Sequence, residues 1–165
     1  MRRILTWDVL IFSFINRKWQ CSLLDKIMPK MTHLGGLKVS VLICLSLLMG
    51  FQTLGKEVTL AMGGSQIIVQ AAKKFLPRPR PFLTIPGTKI WHHLVLKDYS
   101  FPSGHTAASF SLTTVLAVYF PVFAPVVLPI SLLVGVSRIY LGLHYPSDVI
   151  IGALLGTASA VIVCF

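Results

Sequence analysis

Three short stretches of this chain hold the residues able to do chemistry. In "SRIYLGLHYPSD", residues 137–148, Arg138 stands six positions before His144 and Asp148 four after it. A carboxylate so placed can accept from one ring nitrogen and fix the tautomer, leaving the other nitrogen as a nucleophile or a base. Arg138 is the only cation between Lys97 and the C-terminus, and an arginine that ends an uncharged stretch is costly and a functional candidate. In "FPSGHTAASF", residues 101–110, Ser103 can cap a helix and Gly104 lets backbone approach a ligand. His105 then lies in the first turn, where free N–H groups and the helix dipole favour an anion. An imidazole there can protonate a leaving oxygen. In "KKFLPRPRP", residues 73–81, Lys73 and Arg80 are natural phosphate binders, one a point charge and the other a planar two-pronged donor. The prolines stiffen the loop and lower the entropy lost on fixing those side chains. Taken singly, each stretch has a plainer role as well: a basic loop beside a membrane, an N-cap followed by a tolerated histidine, or an arginine that snorkels.

Something must bring these stretches together, and the uncharged segments between them are the candidates. No Lys, Arg, Asp or Glu occurs from Tyr99 to Ser137, after Asp148, or from Val39 to Gly55. Such runs read as membrane spans. The expected fold is all-α: an integral membrane helical bundle of about five transmembrane helices, with N-terminal interfacial helices, forming one domain over 1–165. The spans are placed at about 34–55, 58–72, 103–120, 126–140 and 147–165. Lys56 and Glu57 form a turn between the first two, and "PVFAP" turns the chain between the third and fourth. The second span is rich in small and polar residues, which suits a helix packed on other helices. Residues 1–33 mix apolar and charged groups with Trp7 and Trp19, as segments in the interface do. Asp8 interrupts the apolar run there and no cleavage site follows, so no signal peptide is expected. Pro146 suits the first turn of the last span, which puts Asp148 near the third helical position, where a carboxylate is favourable and can reach back. With this span count the loops 73–101 and 137–148 and the N-terminal segment face one side of the membrane.

Composition agrees. Charged residues make up 12% of the chain and mean hydropathy is +0.78, against roughly a quarter charged in soluble domains. The net charge is +10. Seven cations fall within residues 2–38 and six within 73–97, so anionic head groups or anionic substrates are the expected partners. Nucleic acid fits poorly, because no soluble domain remains to carry a binding face. Cys21, Cys44 and Cys164 form no CxxC pair and indicate no redox role.

In this order, the three stretches resemble the signature of the type-2 phosphatidic acid phosphatase superfamily, which also includes vanadium haloperoxidases and glucose-6-phosphatase-like enzymes. The matching positions are Lys73, Arg80 and Pro81; Pro102, Ser103, Gly104 and His105; and Ser137, Arg138, His144 and Asp148. The resemblance implies a membrane lipid phosphatase working through a phosphohistidine. In that scheme His144 attacks phosphorus, Asp148 orients it, and His105 protonates the leaving group. Lys73, Arg80, Arg138, Ser103 and the Gly104 amide hold the phosphate oxygens. Phosphoryl transfer is chiefly positioning and charge stabilisation, and three cations can do the work a metal ion does elsewhere. No metal, no other cofactor and no obligate protein partner are therefore expected, only a lipid phosphate and the bilayer. Among lipids, undecaprenyl diphosphate is favoured, with phosphatidic acid and phosphatidylglycerol phosphate as alternatives. A vanadate-dependent haloperoxidase and a non-catalytic lipid-binding or transport protein are the rival classes. Two departures from the family lie outside the motifs: one span fewer than bacterial members often have, and only 20 residues between Pro81 and Pro102. His92 and His93, in that loop, read as a solvated interfacial pair. The expected location is the cell membrane, multi-pass. The N-terminal cations favour a cytoplasmic site, whereas the resemblance favours the extracytoplasmic face, which is the expectation adopted.

Overall fold

The computed structural model describes residues 6–91 and 98–165. The described residues are helical, with no strand. Helix α1, Thr6–Ser13, continues through a π-turn at Phe14–Lys18. Then follow α2, Ser22–His33, and α3, Leu37–Gly50. Next come the long α4, Gln52–Phe75, and the short α5, Pro81–Thr84. Helix α6, Gly104–Tyr119, leads through a 3-10 turn into α7, Ala124–Tyr140, and α8, Pro146–Cys164, ends the chain.

By length and apolarity, two helical segments suffice to cross a membrane: Pro121–Tyr140, of mean hydropathy 2.0, and Pro146–Cys164, of 1.9. Helices α2 and α3 pass the same test as a pair, bent by 52° at their junction. The other two expected spans are present as helices of a different kind. Helix α6 has only 16 residues, and α4 has 24 but carries Lys56, Glu57, Gln66, Gln70 and Lys73. Both are inner helices: α6 packs against α4, α7 and α8, and α4 also packs against α3 and α8. Gln66 and Lys73 meet protein, as do Ser65, Ser109, Ser111 and Thr113, whereas Lys56 and Gln70 are exposed. Within a bilayer, lipid tails are as apolar as leucine, so helix association depends on close packing and hydrogen bonds across small residues. The centre of the bundle follows that rule. Ser111 Oγ lies 3.0 Å from Ser65 Oγ and 3.2 Å from the Gly156 carbonyl. A Cβ on Gly152 would come within 2.6 Å of the Ser103 carbonyl, and one on Gly156 would strike that of Ala107.

One boundary differs from expectation. Lys56 and Glu57 lie inside α4, and the chain reverses at Phe51, whose N–H donates to Leu47 O at 2.7 Å. Gly55 accounts for the shift, because a Cβ there would sit 2.5 Å from Leu48 N. Only with a bare Gly55 can α4 begin directly against the end of α3. The N-terminal helices also pack against the bundle. Phe12 is buried against Tyr145, with ring centroids 6.0 Å apart, and joins Ile15, Met28, Ile139 and Leu143 in one apolar cluster. That cluster underlies the turn between α7 and α8.

Candidate active site

The turn between α7 and α8 is shaped first by backbone hydrogen bonds. Gly142 adopts φ +79°, a left-handed conformation that suits glycine. Its N–H donates to Ile139 O at 3.0 Å, and that of Leu143 to Arg138 O at 3.1 Å. These two bonds form a Schellman motif, which ends α7. The His144 N–H donates to the same Arg138 carbonyl at 3.2 Å. Pro146 then opens α8 at its first position, and Asp148, at the third, accepts from the Tyr145 N–H at 2.9 Å. Arg138, His144 and Asp148 are thus placed by two helix ends and the turn that joins them.

The start of α6 docks against this turn. Ser103 caps α6, its Oγ accepting from the Thr106 N–H, while its own N–H donates to the Asp148 carbonyl at 3.0 Å. Gly104 faces α4, where the Gln66 amide donates to its carbonyl at 3.0 Å, and a Cβ would stand 3.1 Å from that side chain. His105 follows, half-buried, with Gly35 and Gly36 of the α2–α3 bend against it. Side chains cannot fit there: a Cβ on Gly35 would collide with the His105 carbonyl.

The loop after α4 supplies the remaining cations. Arg80 is 1% exposed. Its Nη1 donates to Leu143 O at 2.8 Å and lies 3.2 Å from His144 Nε2. A guanidinium can only donate, so Nε2 is the acceptor and the ring proton sits on Nδ1. Nδ1 faces Asp148 Oδ2 at 3.6 Å, beyond hydrogen-bond length, and has no hydrogen-bond partner among the described residues. Arg138, also 1% exposed, donates from Nη1 to Thr32 Oγ1 at 2.6 Å, whereas its Nε and Nη2 meet no acceptor among the described residues. Burial holds the His144 imidazole well below its ordinary pKa, and Arg80, Arg138 and Lys73 lower it further. The ring is neutral.

Three carboxylates complete the site, two of them unforeseen. Asp98 pairs with Lys73 and with Arg80 Nη2. Partial burial would raise its pKa, but the two cations outweigh this and hold it below the usual carboxylate value. Arg78 spans two buried acids, donating from Nη1 to Asp148 Oδ1 and from Nη2 to Asp8 Oδ2, each at 2.6 Å. These pairings join residues up to 70 positions apart in sequence, so no local spacing marks them. One signal was available: the chain has only five Asp and Glu residues, and three of them stand here. His92 and His93 lie outside the described residues.

A cavity of about 490 Å³ opens from Lys73, His105 and His144 and runs between α3, α4 and α6 past Ser40, Cys44 and Met62. Fold and site together define a helical membrane protein in which cations surround a buried, neutral histidine at the head of an apolar cleft. The chain belongs to the PAP2 superfamily, whose family model matches residues 55–164. It is 30% identical to an undecaprenyl-diphosphatase of Sulfolobus acidocaldarius over 154 residues, 92% of this chain and 74% of that one. The crystal structure of Aquifex aeolicus LpxE superposes with a TM-score of 0.90 at 28% identity, covering 99% of this chain and 98% of that one. A PAP2-type phosphatidylglycerolphosphate phosphatase of Bacillus subtilis gives a TM-score of 0.76 at 26% identity, covering 96% and 83%. The chain spans 41% and 50% of the length of two other curated relatives that it matches.

Proposed function

We propose that this protein is a metal-independent membrane lipid phosphatase that works through a phosphohistidine on His144. The observation that carries this reading is the buried Arg138 guanidinium, whose Nε and Nη2 meet no acceptor among the described residues, beside an imidazole that burial and cations hold well below its ordinary pKa. A buried, unsatisfied charge is expensive, and a phosphoryl group supplies the missing acceptors. Lys73, Arg80, Arg138, Ser103 and the Gly104 amide hold the phosphate oxygens. His144 Nε2 attacks phosphorus in line with the leaving oxygen. As the N–P bond forms, the P–O bond breaks and His105 gives the leaving oxygen a proton. Asp148 steadies the imidazolium through Nδ1–H. Water then attacks phosphorus as the His105 ring takes its proton, the N–P bond breaks, and inorganic phosphate leaves.

The substrate is a lipid whose tail lies in the cleft between α3, α4 and α6, with a polyprenyl diphosphate such as undecaprenyl diphosphate favoured. Supporting this choice are the relative named undecaprenyl-diphosphatase and an apolar cleft that leads straight from the cations. Helices α3, α4, α6, α7 and α8 make five crossings, with the site on the extracytoplasmic face. A panel tests the reading: phosphate release by purified protein from polyprenyl diphosphate, phosphatidic acid, phosphatidylglycerol phosphate and soluble phosphomonoesters, with and without EDTA. Release from lipids that EDTA leaves intact and His144→Ala abolishes is expected. Full activity in His144→Ala sinks the mechanism.

A further inference from the structure

Asp8 takes no part in the scheme above, yet it is the most thoroughly bonded acid in the molecule. It is fully buried. Its Oδ1 accepts from the Ser147 N–H at 2.9 Å, and its Oδ2 from the Ser147 hydroxyl and from Arg78 Nη2, both at 2.6 Å. The other amino group of Arg78 holds Asp148 Oδ1, and the guanidinium lies over the Tyr145 ring at 3.9 Å, which fixes its plane. One cation is thus shared by two buried carboxylates, one on α1 and one on α8. We propose that Asp8 is a positioning residue of this active site, supplying the countercharge that keeps Asp148 able to hold the His144 ring.

The argument is one of charge. Arg78 and Asp148 alone sum to zero, and a carboxylate neutralised on one oxygen by a guanidinium attracts an imidazolium weakly. Adding Asp8 brings the group to a net charge of −1. The group is linked through Asp148 Oδ1, and it meets His144 through the other oxygen, Oδ2, which faces Nδ1 at 3.6 Å. When Nε2 bonds to phosphorus the ring becomes positive, and attraction toward the surplus charge grows as the transition state is reached. Interactions that strengthen in this way raise kcat. Asparagine at this position keeps one acceptor oxygen but turns an amide N–H2 toward Arg78, so it removes the charge and the Arg78 bond together. Helix α1 then belongs to the catalytic apparatus.

This inference rests on the phosphohistidine reading, and the experiment separates the two. Wild type, Asp8→Asn, Arg78→Lys and the double variant are purified as full chains, and each is assayed on the lipid phosphate that the wild type hydrolyses fastest. Asp8→Asn is expected to lower kcat about 10- to 100-fold, the size seen when the partner orienting a buried functional group is removed, with KM within about twofold. Arg78→Lys, whose single amine cannot bridge both acids, should lose a similar factor. The double variant should fall no more than about threefold below the worse single one, as expected of groups acting as a unit. A kcat for Asp8→Asn within twofold of wild type, losses that multiply in the double variant, or an effect confined to KM overturns the proposal. Should Asp8→Asn show no cooperative thermal transition, Arg78→Lys decides: wild-type kcat in that variant overturns it too. A wild type inactive on every lipid phosphate removes the phosphatase reading, and this inference falls with it.

Discussion

Among single residues, Arg138 shows most clearly that function and stability pull apart. It is a buried cation with two nitrogens that meet no acceptor among the described residues, so on the proposed reading it costs stability until an anion arrives. Arg138→Met is expected to reduce phosphate release by about 10²- to 10³-fold, the scale of losing one preorganised donor. Its thermal midpoint should hold or rise, since an apolar group of similar volume is often at least as stable as a buried charge. Asp98 works in the opposite sense, for its carboxylate occupies Lys73 and Arg80 and must yield them to a phosphate. Asp98→Asn should tighten inhibition by inorganic phosphate about two- to fivefold, given the modest strength of a part-exposed ion pair. His144 sets a pH dependence of stability. Its folded pKa is depressed, so the unfolded chain binds the extra proton below the ordinary histidine value of about 6.5. Stability from this residue is therefore present above that value and declines as pH falls below it. Thermal scans from pH 8 to 5 should show a steeper acid decline in wild type than in His144→Asn.

At the level of elements, the site is assembled by helix ends, which is why so much of it was readable in advance. Ser103 as a cap, Pro146 in a first turn and Asp148 reaching back are local arrangements, governed by neighbours within four residues. The pairings of Asp8 with Arg78 and of Asp98 with Lys73 depend on which loops meet, and composition alone hinted at them. The start of α4 was misplaced for a related reason: hydropathy takes Lys56 and Glu57 as a break, whereas the fold tolerates them at the end of an inner helix. Glu57 there accepts from the Tyr119 hydroxyl at 2.9 Å. Gly142 offers the test of the turn. A Cβ would stand 2.6 Å from the Lys89 carbonyl, and the left-handed conformation alone costs a non-glycine residue about 1–2 kcal/mol. Gly142→Ala should lower the thermal midpoint and reduce kcat more than it alters KM, because His144 follows directly on the strained turn.

For the whole molecule, the question is how a bundle with few purely apolar helices sits in a membrane. Helix α4 supplies the ruler. Its 24 residues span about 36 Å at 1.5 Å per residue, more than a hydrocarbon core of about 30 Å. On the five crossings proposed above, Lys56 and Lys73, near its two ends, lie at opposite faces. With the native cysteines replaced, single cysteines at exposed Lys89 and Lys56 should react oppositely with an impermeant reagent on intact cells. An outward site predicts labelling at 89 and protection at 56, and the reverse pattern places the chemistry in the cytoplasm. Charge distribution alone left this open, because cations held by a phosphate site are no guide to orientation.

The carbonyl of Arg138 receives the N–H groups of both Leu143 and His144, and this imposes a rule on how the chain can diverge. The separation between the guanidinium and the imidazole is counted in hydrogen-bonded ring sizes and does not depend on side-chain reach. Descendants of this protein can exchange residues 139–143, apart from Gly142, only for side chains that fill the same buried cluster, and cannot change their number at all. A single inserted or deleted residue would break the fork and turn the histidine away, while insertions at the 3-10 turn Pro121–Phe123 would leave both groups in place. Length variation in this lineage is expected to collect at that turn and to spare the five residues between Arg138 and His144.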